Sequence, residues 1–241
     1  MLLTIDTSGA DCAVCVLDPQ TSATVFQMCE TLNIGHAERL VPMVGECLVA
    51  ASMEFANLKG VAATVGPGSF TGLRVGLSFA RAVALACAIP ACGVGVMKAM
   101  AASTSQAVTV AMDARRGEVW FAAFDAQSPN EPYNRVCLVT PRALTFDEAA
   151  LEAKRLGHPL VGSGAALLAD ASGDVPILSQ APCPSVVDVA RLAAHALAHN
   201  TGSPLSPLYI RGADAKPQAS VVAPSKKVAA NSVPNAAGAG L

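Results

Sequence analysis

A glycine-rich stretch at residues 66–76 is the place in the sequence where phosphate chemistry is most expected. It follows an apolar run typical of a strand and precedes a helical pattern, an arrangement in which backbone N–H groups can cradle a phosphate. No lysine follows a late glycine, as a P-loop requires, and Thr71 stands where the dinucleotide-binding fingerprint needs its third glycine. The stretch therefore matches neither phosphate-binding motif.

Two carboxylates, Asp6 and Asp113, each end an apolar run that predicts the first strand of one half of the chain. Across a cleft, this pair with Thr7 and Ser8 would suit a magnesium-bound nucleotide. The alternative is that each aspartate caps its own turn through local hydrogen bonds. Residues 162–164, Gly-Ser-Gly, either line an adenine pocket or simply turn the chain. The pattern predicts a weak ATPase at best.

The histidines do not form a convincing metal-binding pattern. His36 and Glu38 lie two residues apart on a predicted helix and point away from each other. Leu40 stands where a second histidine would be needed. His195 and His199 do have the i, i+4 spacing, but they fall in the last turn of a helix, where histidine interacts favourably with the helix dipole. No glutamate follows His195 as in a metalloprotease. We therefore predict no metal site and no metalloprotease.

The eight cysteines predict neither a disulfide nor a metal site. Cys12 and Cys15 form a CxxC pair, but they lie in an apolar run typical of a strand, where residues three apart face opposite sides. A redox CxxC pair belongs at a helix N-terminus, and a zinc site needs a second pair of ligands. The other cysteines are scattered singly, so we expect reduced thiols that serve as small hydrophobic residues.

The composition argues against a nucleic-acid binder that works through bulk positive charge. The 241 residues carry 16 basic and 18 acidic side chains, a net charge of −2. Hydrophobic residues make up 52% and charged residues only 14%, so we expect a partner protein to cover part of the apolar surface. The most apolar stretch, residues 75–96, is broken by Arg81, Pro90 and Gly93, which predicts no membrane span. No basic region precedes the N-terminal apolar run, so we predict no signal peptide and a cytoplasmic location.

The two halves of the chain predict the same order of elements. In the first half, strands at 1–6, 13–17 and 24–29 precede helices at 37–52 and 69–88, with a strand at 61–65 between them. In the second half, strands at 108–112 and 119–124 precede helices at 146–156 and 186–199 around a short strand at 160–161. The repeat predicts a duplicated, ribonuclease H-like α/β fold with two mixed sheets. We divide the chain into subdomains at 1–105 and 106–215 and a disordered tail at 216–241.

The predicted helix at 69–88 is apolar on almost every side. Gly72, Gly76 and Ala80 recur every four residues, and such a row of small residues lets another element approach closely. Each glycine inside a helix costs roughly 1 kcal/mol relative to alanine, so the row needs a reason. The strongly polar positions form a narrow stripe: Arg74, Ser78 and Arg81. Either a second subunit covers this helix, or it is the central helix of its own domain.

Five segments then stand out by their order along the chain: residues 5–8 (IDTS), 35–40 (GHAERL), 66–76, 112–119 (MDARRGEV) and 207–211 (PLYIR) with Asp214. Together they resemble the TsaB (YeaZ) family of bacterial proteins. The resemblance covers residues 1–215, and the ordered set is highly specific although each segment alone is weak. It departs from the family at Gly212 and Ala213, where a proline usually precedes the aspartate, and the alanine-rich tail lies outside it.

The resemblance implies an actin-like ATPase fold and a role in synthesis of threonylcarbamoyladenosine, next to the anticodon of tRNAs that read codons beginning with A. It implies a non-catalytic scaffold that binds and activates the transferase TsaD, whose metal-binding histidine pair is here interrupted by Leu40. The ATPase TsaE joins that complex, tRNA meets the chain only through the complex, and the chain alone forms a homodimer. No cofactor of its own is implied; ATP or ADP and a metal belong to the assembled complex.

The family also implies pairing, with TsaD or with a second copy, through two helices of the N-terminal subdomain. We therefore assign these residues to the partner interface: His36, Glu38, Arg39, Leu40, Met43, Phe70, Thr71, Gly72, Leu73, Arg74, Gly76, Leu77, Ala80 and Arg81. A Gly76→Arg variant is then expected to lose the complex while staying folded. The alternative function is a solitary nucleotide-hydrolysing enzyme of the actin-like class, built on the weak Asp6 and Asp113 site.

Overall fold

The chain folds around two five-stranded sheets, in a computed structural model that describes residues 1–173 and 175–210. The strands of the first sheet are β1 (Leu2–Asp6), β2 (Asp11–Leu17), β3 (Thr24–Thr31), β4 (Gly60–Gly66) and β5 (Ala91–Gly95). They lie in the order β3-β2-β1-β4-β5, with β1 antiparallel to β2 and parallel to β4. Every residue of the central strand β1 is buried, whereas the edge strand β3 alternates between exposed and half-buried residues.

The second sheet repeats this arrangement. Its strands are β6 (Val108–Arg115), β7 (Glu118–Phe124), β8 (Cys137–Thr145), β9 (Leu160–Val161) and β10 (Ile177–Ser179). They lie in the order β8-β7-β6-β9-β10, with β6 antiparallel to β7 and parallel to β9. Since β6 takes the place of β1 and every other strand follows in the same relation, the predicted duplicated α/β fold is confirmed.

Six α-helices cover the two sheets in the described part of the chain. They are α1 (His36–Ala50), α2 (Phe70–Cys87), α3 (Val96–Ala101), α4 (Phe146–Leu156), α5 (Ala165–Ser172) and α6 (Val186–Ala198). Helices α1 and α2 pack on one face of the first sheet, and α4 and α5 pack on one face of the second. The remaining two cross over: α6 returns to the other face of the first sheet, and α3 contributes to the core of the second. The last helix of each half therefore packs against the sheet of the other half.

A buried arginine fixes the connection between the halves. The Arg135 guanidinium donates hydrogen bonds to the carbonyl oxygens of Ala101, Thr104 and Gln106, all in the segment that leads from α3 to β6. It also donates to the carbonyl oxygen of Asp125, at 2.7 Å. The cation thus binds the carbonyl oxygen of the last residue of α3, where the helix dipole favours positive charge, and two carbonyl oxygens of the loop that follows.

Local signals explain where the predicted elements begin. The Ser69 hydroxyl accepts a hydrogen bond from the Gly72 amide, so it caps α2, and Thr145 with Glu148 forms a capping box at the start of α4. Strand β8, helix α5 and strand β10 were not predicted. Pro42 lies in the second turn of α1, beyond the first turn where proline is tolerated best. The predicted tail at 216–241 and the end of the last family segment, Arg211 and Asp214, lie outside the described residues.

Helix α2 is long and apolar enough to cross a membrane when only length and composition are considered. A core helix of a globular domain passes the same test, and α2 has a buried face against the first sheet. The buried residues of that face are Gly72, Leu73, Gly76, Leu77, Ala80 and Val83.

Candidate functional site

The small-residue row of α2 faces the chain's own first sheet. A Cβ atom on Gly72 would overlap the carbonyl oxygen of Thr7, and one on Gly76 would overlap the Thr7 hydroxyl oxygen. That hydroxyl donates a hydrogen bond of 2.8 Å to the carbonyl oxygen of Gly72. The glycines therefore let α2 lie directly on the end of β1. This packing agrees with the alternative that α2 is the central helix of its own domain.

This packing corrects part of the interface assignment. The following predicted interface residues are buried within the chain: His36, Leu40, Met43, Gly72, Leu73, Gly76, Leu77 and Ala80. Of these, Leu40 lines a groove at the surface. His36 is held from within as well, because its Nε2 atom lies 3.2 Å from the Asp11 carbonyl oxygen. We now expect Gly76→Arg to disturb the fold as well as the complex, because a side chain at this position would meet Thr7 and Ile5. Predicted residues that do reach the surface are Glu38, Phe70, Thr71, Arg74 and Arg81, with Arg39 half-buried.

Arg39 is engaged by acidic neighbours on its own chain. Its Nε atom donates to Glu30 at 2.7 Å, and its Nη1 atom donates to Glu46 at 2.8 Å. These hydrogen bonds hold the pKa values of Glu30 and Glu46 below their ordinary range. Arg39 therefore ties the start of α1 to the edge strand β3, and its charge is already compensated.

A groove of about 520 Å³ runs between α1 and α2 on the side that faces away from the sheet. Its lining residues are Ala37, Leu40, Val41, Phe70, Thr71, Arg74, Val75, Ser78 and Phe79. Val41 is 59% exposed and Phe70 is 51% exposed. Further along the same helices, Val49 and Leu85 are exposed as well. Exposed apolar side chains on two neighbouring helices are typical of a protein-binding face.

The polar stripe of α2 binds a segment from the other end of the chain. Arg74 Nε donates to the Tyr209 hydroxyl at 3.3 Å, and Arg81 donates to the carbonyl oxygen of Leu205. The arginine positions were visible in the sequence, but their partners lie more than a hundred residues away and gave no local signal. Sequence reasoning therefore missed Tyr209 as a member of this surface.

Asp6 is sealed inside the first half of the chain. It is only 1% exposed, and its Oδ1 atom accepts hydrogen bonds from the Ser8 amide at 3.0 Å and the Thr64 hydroxyl at 2.7 Å. The Oδ2 atom is buried and has no hydrogen-bond partner among the described residues. Burial raises the pKa of Asp6 above its ordinary value. The Ser69 amide at the start of α2 also donates a hydrogen bond of 2.6 Å to the Ser8 carbonyl oxygen, so α2 begins in direct contact with the segment that follows β1.

Asp113, the counterpart of Asp6, lies in an open cleft of about 450 Å³. The lining comprises Ser8, Gly9, Ala10, Asn33, Gly68, Ser69, Met112, Asp113, Ala114, Arg115, Trp120, Ser163 and Pro182. Asp113 Oδ1 accepts from the Arg115 amide at 2.7 Å, and the Ser163 hydroxyl accepts from the Asp113 amide at 3.1 Å. Asp6 and Thr7 are buried and are not among the lining residues, whereas the neighbouring Ser8 is. A divalent cation needs accessible carboxylate oxygens, and in this structure Asp6 presents none to the cleft.

The remaining candidate ligands do not assemble into a site. No group of three histidine, cysteine or acidic side chains able to hold a metal occurs within residues 1–173 and 175–210. The rings of His195 and His199 stack 4.2 Å apart, and His199 Nδ1 lies 2.8 Å from the His195 carbonyl oxygen. Burial raises the pKa of Cys12 to about 11 and that of Cys15 to about 12, so these thiols stay protonated and act as small apolar residues.

Comparison with known proteins points to one family. The family model for TsaD, tRNA N6-adenosine threonylcarbamoyltransferase, matches residues 30–130. The TsaB protein of Escherichia coli (strain K12) is 33% identical over 128 residues, covering 51% of this chain and 54% of that protein. An uncharacterized protein of Mycobacterium tuberculosis (strain ATCC 25618 / H37Rv) is 35% identical over 186 residues, covering 76% of this chain and 79% of that protein. The match thus spans about half the length of the E. coli relative and most of the mycobacterial one.

A solved structure supports the same assignment at the level of the fold. YeaZ from Pseudomonas aeruginosa superposes with a TM-score of 0.72 at 24% identity, covering 86% of this chain and 98% of that one. The five ordered segments, the duplicated sheets and these relatives agree, and the chain belongs to the TsaB (YeaZ) family.

Proposed function

We propose that this chain acts in tRNA threonylcarbamoyladenosine biosynthesis as a non-catalytic scaffold that binds and activates TsaD. The name of the E. coli relative supports the pathway. The observation that carries the scaffold role is the apolar groove between α1 and α2, which leaves Val41 and Phe70 exposed. An apolar face of this kind is stabilised when another protein covers it. The proposal places the chain in the cytoplasm, together with tRNA.

The match to the TsaD family supports the choice of partner. It covers residues 30–130, which include both helices of the groove, so a TsaD chain contains a segment related to this helix pair. Two related helix pairs that pack face to face form a nearly symmetric interface, the commonest kind in protein dimers. A second copy of this chain presents the same face, so a homodimer forms when TsaD is absent and is displaced by TsaD. TsaE and tRNA join through the complex.

The geometry of the two aspartates supports a non-catalytic role. A nucleotide-hydrolysing enzyme of this fold would grip its metal and phosphates from both halves of the cleft. Here only Asp113 lines the cleft, while Asp6 is enclosed by Ser8, Thr64 and the start of α2. This arrangement favours the scaffold over the solitary enzyme. ATP or ADP and a metal are then expected in the assembled complex rather than on this subunit alone.

Light-scattering mass measurements on the chain alone and mixed with TsaD of the same host test the proposal. A stoichiometric complex that forms at the expense of the homodimer is the expected result. Val41→Asp would place a carboxylate in the covered groove, which should weaken the complex by about 2 kcal/mol or more, roughly 30-fold. Leu151→Asp is the matched control, because Leu151 is 72% exposed on α4 in the other half of the chain. If Val41→Asp and Leu151→Asp bound TsaD equally well, or if the unmodified chain formed no complex with TsaD, the groove between α1 and α2 would not be the docking face.

A further inference from the structure

The last described residues form a strap across the first half of the chain. We use strap for residues 203–210. The Gly93 amide on β5 donates to the Ser203 carbonyl oxygen at 2.7 Å, and the Leu208 amide donates to the Val65 carbonyl oxygen on β4, also at 2.7 Å. Arg81 on α2 donates to the Leu205 carbonyl oxygen. The strap is therefore fixed to the sheet and to α2 at several points along its length.

The strap brings an exposed tyrosine to the rim of the groove. The Tyr209 ring lies 5.6 Å from the Phe70 ring, centre to centre, and is 47% exposed. The Arg74 guanidinium carbon lies 3.6 Å from the centre of the Phe70 ring, and Arg74 Nε donates to the Tyr209 hydroxyl. Phe70 and Arg74 both line the groove. The groove is thus continuous with a cluster of two aromatic rings and one cation.

This cluster has the features of a binding hot spot. Tyrosine and arginine are enriched among the few residues that dominate binding energies, and such residues sit beside well-packed apolar contacts. Because the strap and the contacts with the Phe70 ring already hold Tyr209 and Arg74 in place, little side-chain freedom remains to be lost on association. Within the described part of the chain, no carboxylate pairs with Arg74. Its charge therefore remains available to an acidic group on another protein.

We propose that Phe70, Arg74 and Tyr209 are the centre of the TsaD contact, so that the interface extends from the two helices onto the strap. The partner's helix pair supplies an apolar side chain over the two rings and a carboxylate to Arg74. This inference rests on the proposed function, because it takes TsaD as the protein that covers the groove. It adds a C-terminal segment to a docking face that the helix pattern alone confined to α1 and α2.

Fluorine NMR tests whether TsaD covers Tyr209 on the strap, with no residue of the strap replaced. The chain has two tyrosines, so incorporation of 3-fluorotyrosine gives two signals, one from Tyr209 and one from Tyr133, which packs beside α6. A soluble nitroxide broadens exposed signals. We expect the Tyr209 signal to be protected in the TsaD complex relative to the uncomplexed Val41→Asp chain, and the Tyr133 signal to respond equally in both samples. Equal broadening of Tyr209 in both samples would overturn the inference.

Substitutions test how much Tyr209 and Arg74 contribute to the binding of TsaD. Tyr209→Ala and Arg74→Gln should each weaken TsaD binding on the order of 10-fold or more, whereas Tyr209→Phe keeps the ring and should stay within about threefold. Thermal unfolding of each variant establishes that it is folded at the temperature of the binding measurement. If Val41→Asp loses the complex while Tyr209→Ala and Arg74→Gln bind normally, the strap inference is wrong and the proposed function stands. If Val41→Asp also binds normally, the docking face itself is wrong.

Discussion

Replacing Gly76 with alanine tests whether α2 lies on the first sheet as closely as the structure shows. An alanine Cβ at this position would overlap the Thr7 hydroxyl oxygen and would meet Ile5 Cγ2 at 3.4 Å. Gly45 in α1 is the matched control, because a Cβ there has nothing within 4 Å. Both substitutions exchange glycine for alanine inside a helix, so the two variants differ only in what the new methyl group meets.

The magnitudes follow from these contacts. Alanine favours the helix over glycine by about 1 kcal/mol, so Gly45→Ala should raise the free energy of unfolding by about that amount. At Gly76 the same gain is opposed by overpacking of roughly 1–3 kcal/mol. Thr7 must also turn away, and its buried hydrogen bond to Gly72, about 1 kcal/mol, is lost. Gly76→Ala should therefore lower the free energy of unfolding by about 1–3 kcal/mol.

Thermal unfolding followed by circular dichroism measures both effects. A change of 1 kcal/mol corresponds to roughly 2–4 °C in a chain of this size. Gly45→Ala should therefore melt above the unmodified chain by about that amount, and Gly76→Ala should melt several degrees below it. A Gly76→Ala variant as stable as Gly45→Ala would refute the packing of α2 on β1. The small-residue row would then be open to a partner.

A double variant separates steric overlap from other causes. Thr7→Ala removes the overlapping hydroxyl, and the Thr7 Cβ is 3.7 Å from the position of the new methyl group, an ordinary contact. In the Thr7→Ala background, Gly76→Ala should therefore be neutral or stabilising. The resulting coupling energy should be at least about 1 kcal/mol. Additive effects would show that the destabilisation arises elsewhere than at Thr7.

Two further predictions concern the buried carboxylate of Asp6 and the binding of nucleotides in the cleft. Burial raises the pKa of Asp6, so its contribution to stability is complete below the unfolded-state pKa and is lost as pH rises through the folded-state value. As pH rises above about 4, near the ordinary pKa of an aspartate, the free energy of unfolding of Asp6→Asn should therefore improve relative to that of the unmodified chain; a constant difference in urea titrations would contradict this. Trp120 is the single tryptophan and lines the cleft, so its fluorescence reports on cleft ligands. ATP or ADP with magnesium should leave it unchanged in the isolated chain, whereas a saturable change that is lost in Asp6→Asn would favour the solitary enzyme.

Most of the fold could be predicted because its strongest signals are local. Apolar periodicity located β1, α1, α2 and α4, and the repeated order of elements predicted the duplication. The missed elements lack such signals. Strand β8 contains Pro141, which reads as a strand breaker and is tolerated only because β8 is the edge of its sheet. Strand β10 has three residues and helix α5 has eight, too few to show a clear period.

The candidate surface was predicted only in outline because its details depend on distant parts of the chain. The small residues of α2 correctly indicated a close approach, but the pattern could not tell a second subunit from the chain's own β1. Arg74 and Arg81 were recognised as a polar stripe. Their partners Tyr209 and Leu205 are separated from them by 135 and 124 residues, so no spacing rule connects them.

The two faces of α2 account for its apolar character without requiring a membrane or a second buried layer. Its inner face lies on the end of β1, and the same contact encloses Asp6 and removes one of two equivalent carboxylates from the cleft. Its outer face keeps Phe70 and Arg74 at the surface beside the strap. A metal-bound nucleotide held from both halves needs both carboxylates open. The helix that encloses the first of them also lines the apolar groove, and these two observations on one helix are the reason that the proposed function is partner binding rather than nucleotide turnover.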